Sequence, residues 1–258
     1  MKNAMKEKFA RGEPAYGVSL MFPSPQLVEM LAYAGFDWVL IDCEHGSIGA
    51  ADVEVMTMAA DASGITPIGR PRNNSSAEIQ SLMDRGVHGV QVPHINTRED
   101  AERAVAAVKF GPGAQRGLAA GTRPDRWGFG AKMKDFVAQA NSTSLVCVQI
   151  EHADAVANID DILGVDGIDV FFIGPSDLSQ SMGHPGEPNA PTVKAAIDQT
   201  LQKIRAAGAV PGMPAATANI ADVTGSGCKY IYTHLPKLIG AGANNFLDAA
   251  RAGHTNGS

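Results

Sequence analysis

Eight short apolar runs, separated by segments of helical periodicity, constrain this chain more than any other feature. They fall at 17–20, 38–42, 66–70, 89–92, 145–150, 170–173, 210–213 and 229–233. Between them lie helix start signals, such as Ser75-Ser76-Ala77-Glu78 ahead of Ile79 and Leu82, and Asn96-Thr97 ahead of a run to Phe110. Gly35, Gly64, Gly86 and Gly208 supply stops. Eight β/α alternations in 258 residues predict an α/β chain folded as one (β/α)8 TIM barrel domain over 1–258, a fold of about 250 residues. A doubly wound sheet would show a glycine-rich phosphate loop early, and no GxGxxG or P-loop pattern occurs. The N-terminal segment is expected to close the barrel floor as a helix. Residues 238–251 read as a terminal helix whose Gly240 and Gly242 permit close approach to a neighbour.

Side chains along a strand alternate faces, so Cys147, Gln149 and Glu151 share the inner face of the fifth run, and Val146, Val148 and Ile150 face the helices. Glu151 takes the last strand position. A helical pattern follows through Val156, Ile159 and Leu163, and after the next strand comes Gly174-Pro175-Ser176-Asp177. Two successive βα units therefore carry Glu151 and Asp177 to the same end of the barrel. Active sites of this fold lie at that end. The second strand also ends there, in Asp42 followed by Cys43-Glu44-His45-Gly46, and the third ends in Arg70. Two long connections, 111–130 with Arg116, Arg123 and Arg126, and 174–191 with His184, read as lids or binding loops at the mouth.

Two carboxylates without His or Cys ligands form a hard, oxygen-only site that suits Mg²⁺ or Mn²⁺. A 2-oxo acid would chelate such an ion through its carboxylate and keto oxygens, and the ion would stabilise an enolate as a Lewis acid. Arg70 would hold the keto acid or the developing oxyanion, and His45, titrating near neutrality, would move the proton. Duller roles exist: Arg70 as an ion-pair partner in the barrel wall, Asp177 or Glu151 as a helix cap. His88, His94, His152 and His254 read as surface or loop residues, His94 being the exception because it follows the fourth strand. Met56 and Met58 read as core.

A formal net charge of −6 without a Lys/Arg cluster argues against nucleic acid and anionic membrane surfaces as partners. The charged N-terminus lacks a signal-peptide core, and no stretch of about 18 apolar residues offers a membrane span, so a cytoplasmic protein is expected. Cys43, Cys147 and Cys228 lie far apart without metal-finger spacing and read as buried free thiols.

Four ordered motifs resemble one family. They are the run from Phe36 through Asp42-Cys43-Glu44-His45-Gly46, Arg70-Pro71, Gln149-Ile150-Glu151, and the run from Phe172 through Gly174-Pro175-Ser176-Asp177 to Gly183. Together they resemble the HpcH/HpaI aldolases, in particular metal-dependent 4-hydroxy-2-oxoheptanedioate aldolases and 2-keto-3-deoxy sugar acid aldolases. The resemblance implies a barrel of the phosphoenolpyruvate/pyruvate superfamily, a homohexamer in which the last helix is exchanged with a neighbouring subunit, and a class II pyruvate aldolase. Such an enzyme cleaves a 4-hydroxy-2-oxo acid reversibly to pyruvate and an aldehyde, with Mg²⁺, Mn²⁺ or Co²⁺ and no nucleotide or organic cofactor. It makes Glu151 and Asp177 metal ligands, Gln149, Ser176, Asp177 and Arg70 substrate contacts, His45 the base and Arg70 the transition-state stabiliser. Asp42 and Glu44 would stand behind them. Asp84 would raise the basicity of the histidine, although a residue ending a helix belongs near the floor. The likeness fades after the seventh strand, where Pro214-Ala215-Ala216 and Thr233-His234-Leu235-Pro236-Lys237 stand. Alternatives are a decarboxylase or enolate-condensing synthase acting on oxaloacetate at the same site, and a non-catalytic binding barrel. A Schiff-base aldolase would need an inward lysine at a strand end, and only Lys237 comes near.

Overall fold

The computed structural model describes residues 3–255. Eight parallel strands close into a barrel in sequence order: β1 (Ala15–Leu20), β2 (Trp38–Asp42), β3 (Thr66–Arg70), β4 (Gly89–Val92), β5 (Leu145–Ile150), β6 (Val170–Ile173), β7 (Val210–Pro214) and β8 (Tyr230–His234). β1 pairs with β8, which closes the ring and leaves no sheet edge. Strand alternation sorts the side chains as expected. Val18, Val39, Ile41, Val90, Val148 and Ile150 join the layer beneath the helices, whereas Trp38, Leu40, Ile68, Cys147, Phe172, Tyr230 and Tyr232 fill the interior. Trp38 lies against Tyr230 at 4.1 Å between ring centroids, and Phe172 stacks on Tyr232 at 5.1 Å. Gly17 makes room for this aromatic packing, because a Cβ there would lie 2.3 Å from the Trp38 ring.

Twelve helices surround or cap the strands among the described residues: α1 (Ala4–Ala10), α2 (Pro25–Tyr33), α3 (Ala50–Ser63), α4 (Ser76–Asp84), α5 (Arg98–Val108), α6 (Met133–Thr143), α7 (Ala153–Ala157), α8 (Ile159–Leu163), α9 (Pro175–Ser181), α10 (Pro191–Ala206), α11 (Ile220–Gly225) and α12 (Leu235–Thr255). Asn3 caps α1 by accepting from the Met5 and Lys6 amides, and Met5 and Phe9 plug the barrel floor as expected. Ser75 caps α4, and Thr97 with Asp100 forms a capping box on α5. None of the described helices is long and apolar enough to cross a membrane.

Several expectations are corrected. Connection 111–130 follows a helix and leads back to a strand start, so it lies under the floor and cannot be a mouth lid. With Asn3, His88 and Thr143 it encloses a floor cavity of about 260 Å³. Arg116 is buried beneath it, 4.4 Å over the Phe110 ring. Only connection 174–191 stands at the mouth. Met56 is fully buried, but Met58 is 43% exposed on the outer side of α3. β8 runs one residue past the expected end, and α12 starts directly after it. From Ala243 to Ala252 the residues of α12 are all exposed, so this helix leaves the barrel. Beside its root lies an apolar groove of about 210 Å³ over β1 and β8, lined by Tyr16, Phe36, Ala215, Ile220, Ile231 and Leu238. The side chain of His254 lies outside the described residues.

Candidate active site

The mouth is organised by a buried ion pair. Asp42 and Arg70 end neighbouring strands in register, and both point inward. Arg70 donates from Nε to Asp42 Oδ1 at 2.9 Å and from Nη2 to Oδ2 at 2.6 Å. This is the two-pronged geometry that a guanidinium offers a carboxylate. Asp42 Oδ1 also accepts from the Glu44 and His45 amides at 3.1 and 3.2 Å, which folds the chain into the turn that presents His45. Gly46 allows that turn, since a Cβ there would meet the Asp42 carbonyl at 2.2 Å. Burial alone would lower the affinity of Arg70 for its proton, but the Asp42 hydrogen bonds together with the charges of Asp42, Glu44 and Tyr232 outweigh it and the pKa is raised. The cation is permanent.

Arg70 Nη1 donates onward to Gln149 Oε1 at 3.3 Å. Gln149 is in turn held by Gln91 and donates to Glu151 Oε2, while Tyr230 donates to Gln91 at 2.9 Å. A continuous ladder of hydrogen bonds thus runs from the aromatic interior to the last carboxylate of β5. Glu151 is 6% exposed. Its Oε1 accepts the His94 amide at 2.9 Å, and the His94 ring lies between Glu151 at 3.6 Å and Glu44 at 3.3 Å. Glu44 Oε2 lies 3.2 Å from Arg70 Nε and 3.9 Å from His45 Nε2.

Burial raises the pKa of Glu151; the His94 amide opposes this and the nearby Asp177 charge adds to it. Glu44 is raised for the same first reason, with Arg70 opposing and Glu151 adding. Two crowded, desolvated carboxylates beside a third charge are a strong electrostatic demand for a cation. Gly174 makes room for the Glu151 side chain itself, because a Cβ there would lie 3.0 Å from Glu151 Cβ and Oε2. On the opposite wall His234 ends β8, edge-on to Tyr232 at 5.4 Å. Its pKa is lowered by burial and by Lys237 and Arg70, which favours the neutral ring. Burial pushes the Cys43 thiol up to about 12, and all three cysteines are buried and free, as expected.

Residues 17–224 match the HpcH/HpaI aldolase/citrate lyase family. The chain belongs to that family. It is 40% identical over 222 residues to a 4-hydroxy-2-oxo-heptane-1,7-dioate aldolase of Klebsiella pneumoniae, covering 86% of this chain and 83% of the relative. The solved structure of an HpcH/HpaI aldolase/citrate lyase family protein from Burkholderia cenocepacia superposes with TM-score 0.91 at 29% identity, over 97% of this chain and all of that one. A solved citrate synthase superposes at 0.85 with 26% identity, over 97% and 98% of the two chains. Membership in this family makes the chain an aldolase-type carbon–carbon lyase.

In this HpcH/HpaI barrel, hydrogen bonds and ion pairs link Asp42, Glu44, His45, Arg70, Gln149 and Glu151. Asp177 sits in the first turn of α9, exposed, and reaches Glu151 through its charge. Ser176 is exposed beside it. Asp84 stands apart: it ends α4 on the floor side, with Arg116 Nη2 at 3.5 Å and Gln80 Nε2 at 3.4 Å. Its two recorded side-chain partners are thus away from the mouth. Of the histidines read as surface, His88 pairs with Asp61 and His152 caps α7. Two residues of the hydrogen-bond ladder, Gln91 and Tyr230, escaped the sequence reading. Gln91 has inward parity with Gly89, which would have found it, and Tyr230 follows from the same rule on β8. His234 belongs to the stretch 233–237 where the likeness fades, and the structure makes it the last residue of β8. His94 belongs to no strand, so parity says nothing of it.

Proposed function

We propose that this chain is a cytoplasmic class II pyruvate aldolase. It cleaves a 4-hydroxy-2-oxo acid to pyruvate and an aldehyde, and the 40%-identical relative makes the C7 dicarboxylate the first substrate to try. The observation that carries this reading is the buried run Asp42–Arg70–Gln149–Glu151, which holds a fixed cation and a desolvated carboxylate on one mouth.

Glu151 and Asp177 would hold the divalent ion, Mg²⁺, Mn²⁺ or Co²⁺. Among the described residues no three His, Cys, Asp or Glu side chains are grouped to hold a metal, so water and substrate would complete the shell, as hard cations accept. When bound, the ion supplies Lewis-acid stabilisation of charge on the 2-oxo oxygen. The protein's own part follows from its geometry. His45 takes the proton of the C4 hydroxyl, the C4–O bond becomes the aldehyde carbonyl, and the C3–C4 electron pair moves into the enolate of pyruvate. Arg70, with Nε and Nη2 committed to Asp42, offers its remaining Nη1 proton to the developing oxyanion. Returning a proton to C3 completes pyruvate. Gln149 and Ser176 orient the keto acid, and Asp42 and Glu44 fix Arg70 and the His45 turn. Asp84 has its place in this scheme only if it acts on His45 from outside this subunit's mouth.

The exposed α12 and the groove at its root fit one assembly, in which each terminal helix packs on a second copy; the proposed form is a homohexamer of single-domain barrels. Oxaloacetate is kept as a second substrate to try, because the family likeness fades at the mouth end of β8 and the start of α12, where His234 and Lys237 stand. The test is pyruvate release from 4-hydroxy-2-oxoheptanedioate and from oxaloacetate, with Arg70→Lys as control. The aldolase reading expects the first to dominate and Arg70→Lys to lose about 10²-fold; release from oxaloacetate alone would replace it with the second reading.

A further inference from the structure

His94 touches both glutamates of the mouth, yet the scheme above gives it no task. Its backbone is unusual. At φ 58° it is one of three described non-glycine residues, with Arg126 and Trp127, in the left-handed region. Side chains other than Asn, Asp and His rarely settle there, and a residue held there at a site calls for a reason. Immediately after β4 and Pro93, this conformation turns the His94 amide onto Glu151 Oε1 at 2.9 Å. The same turn lays the imidazole between carboxylates, Nδ1 at 3.6 Å from Glu151 and Nε2 at 3.3 Å from Glu44. Gln149 holds the other Glu151 oxygen. Both oxygens are therefore fixed before any ligand arrives, one from inside the barrel and one from the β4 turn.

We propose that His94 is a positioning residue for Glu151: its left-handed backbone aims an amide at Oε1 and fixes that oxygen. The value of this contact for cation binding rests on Glu151 being a metal ligand; the contact itself does not. A carboxylate oriented by an outer hydrogen bond binds its ion without reorganising, and losing such a partner typically weakens metal affinity about 10–100-fold.

Backbone and ring are separable. His94→Gly keeps access to positive φ and loses the ring, His94→Asn keeps a residue tolerated there, and His94→Val carries a β-branched side chain that opposes it. Two readouts on the full-length enzyme test the proposal. In chelated protein, hydrogen exchange at the residue-94 amide is expected to be protected in wild type and at least about tenfold faster in Glu151→Ala, which removes the acceptor. Mn²⁺ titration followed by electron paramagnetic resonance is expected to give His94→Gly and His94→Asn within about threefold of wild type and His94→Val weaker by about 10–100-fold. Recovery in Gly and Asn shows that loss of the imidazole is not what weakens binding, and an unchanged circular dichroism spectrum and oligomeric state of the Val protein exclude its misfolding. An unprotected amide in wild type, or Mn²⁺ binding by His94→Val equal to wild type, overturns the proposal. Gly as weak as Val overturns the backbone role in favour of the ring. A protected amide in a wild type that binds no Mn²⁺ upholds the Glu151 contact and removes Glu151 as a ligand.

Discussion

Replacing Asp42 with Asn should separate what the mouth contributes to stability from what it contributes to turnover. Asp42 is fully buried and accepts four hydrogen bonds, from Arg70 at 2.9 and 2.6 Å and from the Glu44 and His45 amides at 3.1 and 3.2 Å. Asn offers one oxygen in place of two and turns two N–H donors toward donors. Arg70, 6% exposed, is left without its main counter-charge. Breaking a buried pair from one side costs about 3–5 kcal/mol. Glu44, 3.2 Å from Arg70 Nε, offsets part of that, so we expect about 3 kcal/mol. In a chain of this size that lowers Tm by about 6–12 °C. The companion proteins are Arg70→Met and the double variant Asp42→Asn/Arg70→Met. Removing both charges leaves nothing uncompensated, so the double variant should be more stable than Asp42→Asn alone. None of the three should release pyruvate within about 10²-fold of wild type. Thermal unfolding of metal-free protein, paired with a coupled pyruvate assay, reads both. A Tm for Asp42→Asn within about 1 °C of wild type, or a double variant as unstable as the sum of the singles, would refute the reasoning.

Two further outcomes follow from the same mouth. Glu151 has its pKa raised by burial and by Asp177, so the native state holds that proton more tightly than the unfolded chain does. Its contribution to stability is full below the unfolded pKa and is lost as pH rises through the folded one. Chelated Glu151→Gln should therefore be the more stable protein above the ordinary carboxylate range, by on the order of 1 kcal/mol, with a gap that widens from pH 4.5 to 8 in urea unfolding; a gap constant with pH contradicts the assignment. Borohydride reduction with pyruvate should leave the mass of the chain unchanged, because Lys237, beside the mouth, is exposed at the start of α12 and among the described residues no barrel strand ends in a lysine; a covalent adduct would replace the enolate route with a Schiff base.

The barrel was legible because eight short apolar runs alternate with helix-period segments, and in β5 the period-two sorting separates Cys147 and Gln149 from Val146, Val148 and Ile150. Glu151 could be assigned to the mouth because it lies in phase with Cys147 and Gln149. The pairing of Asp42 with Arg70 was not legible, although both were named, since it depends on the register of β2 against β3. His234 was named only within the stretch 233–237; that it ends β8 in phase with Tyr230 and Tyr232 depends on a strand boundary one residue later than expected. Connection 111–130 was assigned to the wrong end for a different reason: its length suggested a lid, but the direction of α5 fixes it beneath the floor. The course of α12 away from the barrel depends on contacts that local periodicity does not contain.

The most direct measurement of the central claim is pyruvate release from 4-hydroxy-2-oxoheptanedioate after exhaustive chelation and again with Mg²⁺, Mn²⁺ or Co²⁺ restored, in wild type and in Glu151→Gln. The account predicts that release disappears on chelation, returns with at least one ion in wild type, and does not return in Glu151→Gln. Undiminished release from the chelated enzyme, or full recovery in Glu151→Gln, would contradict it.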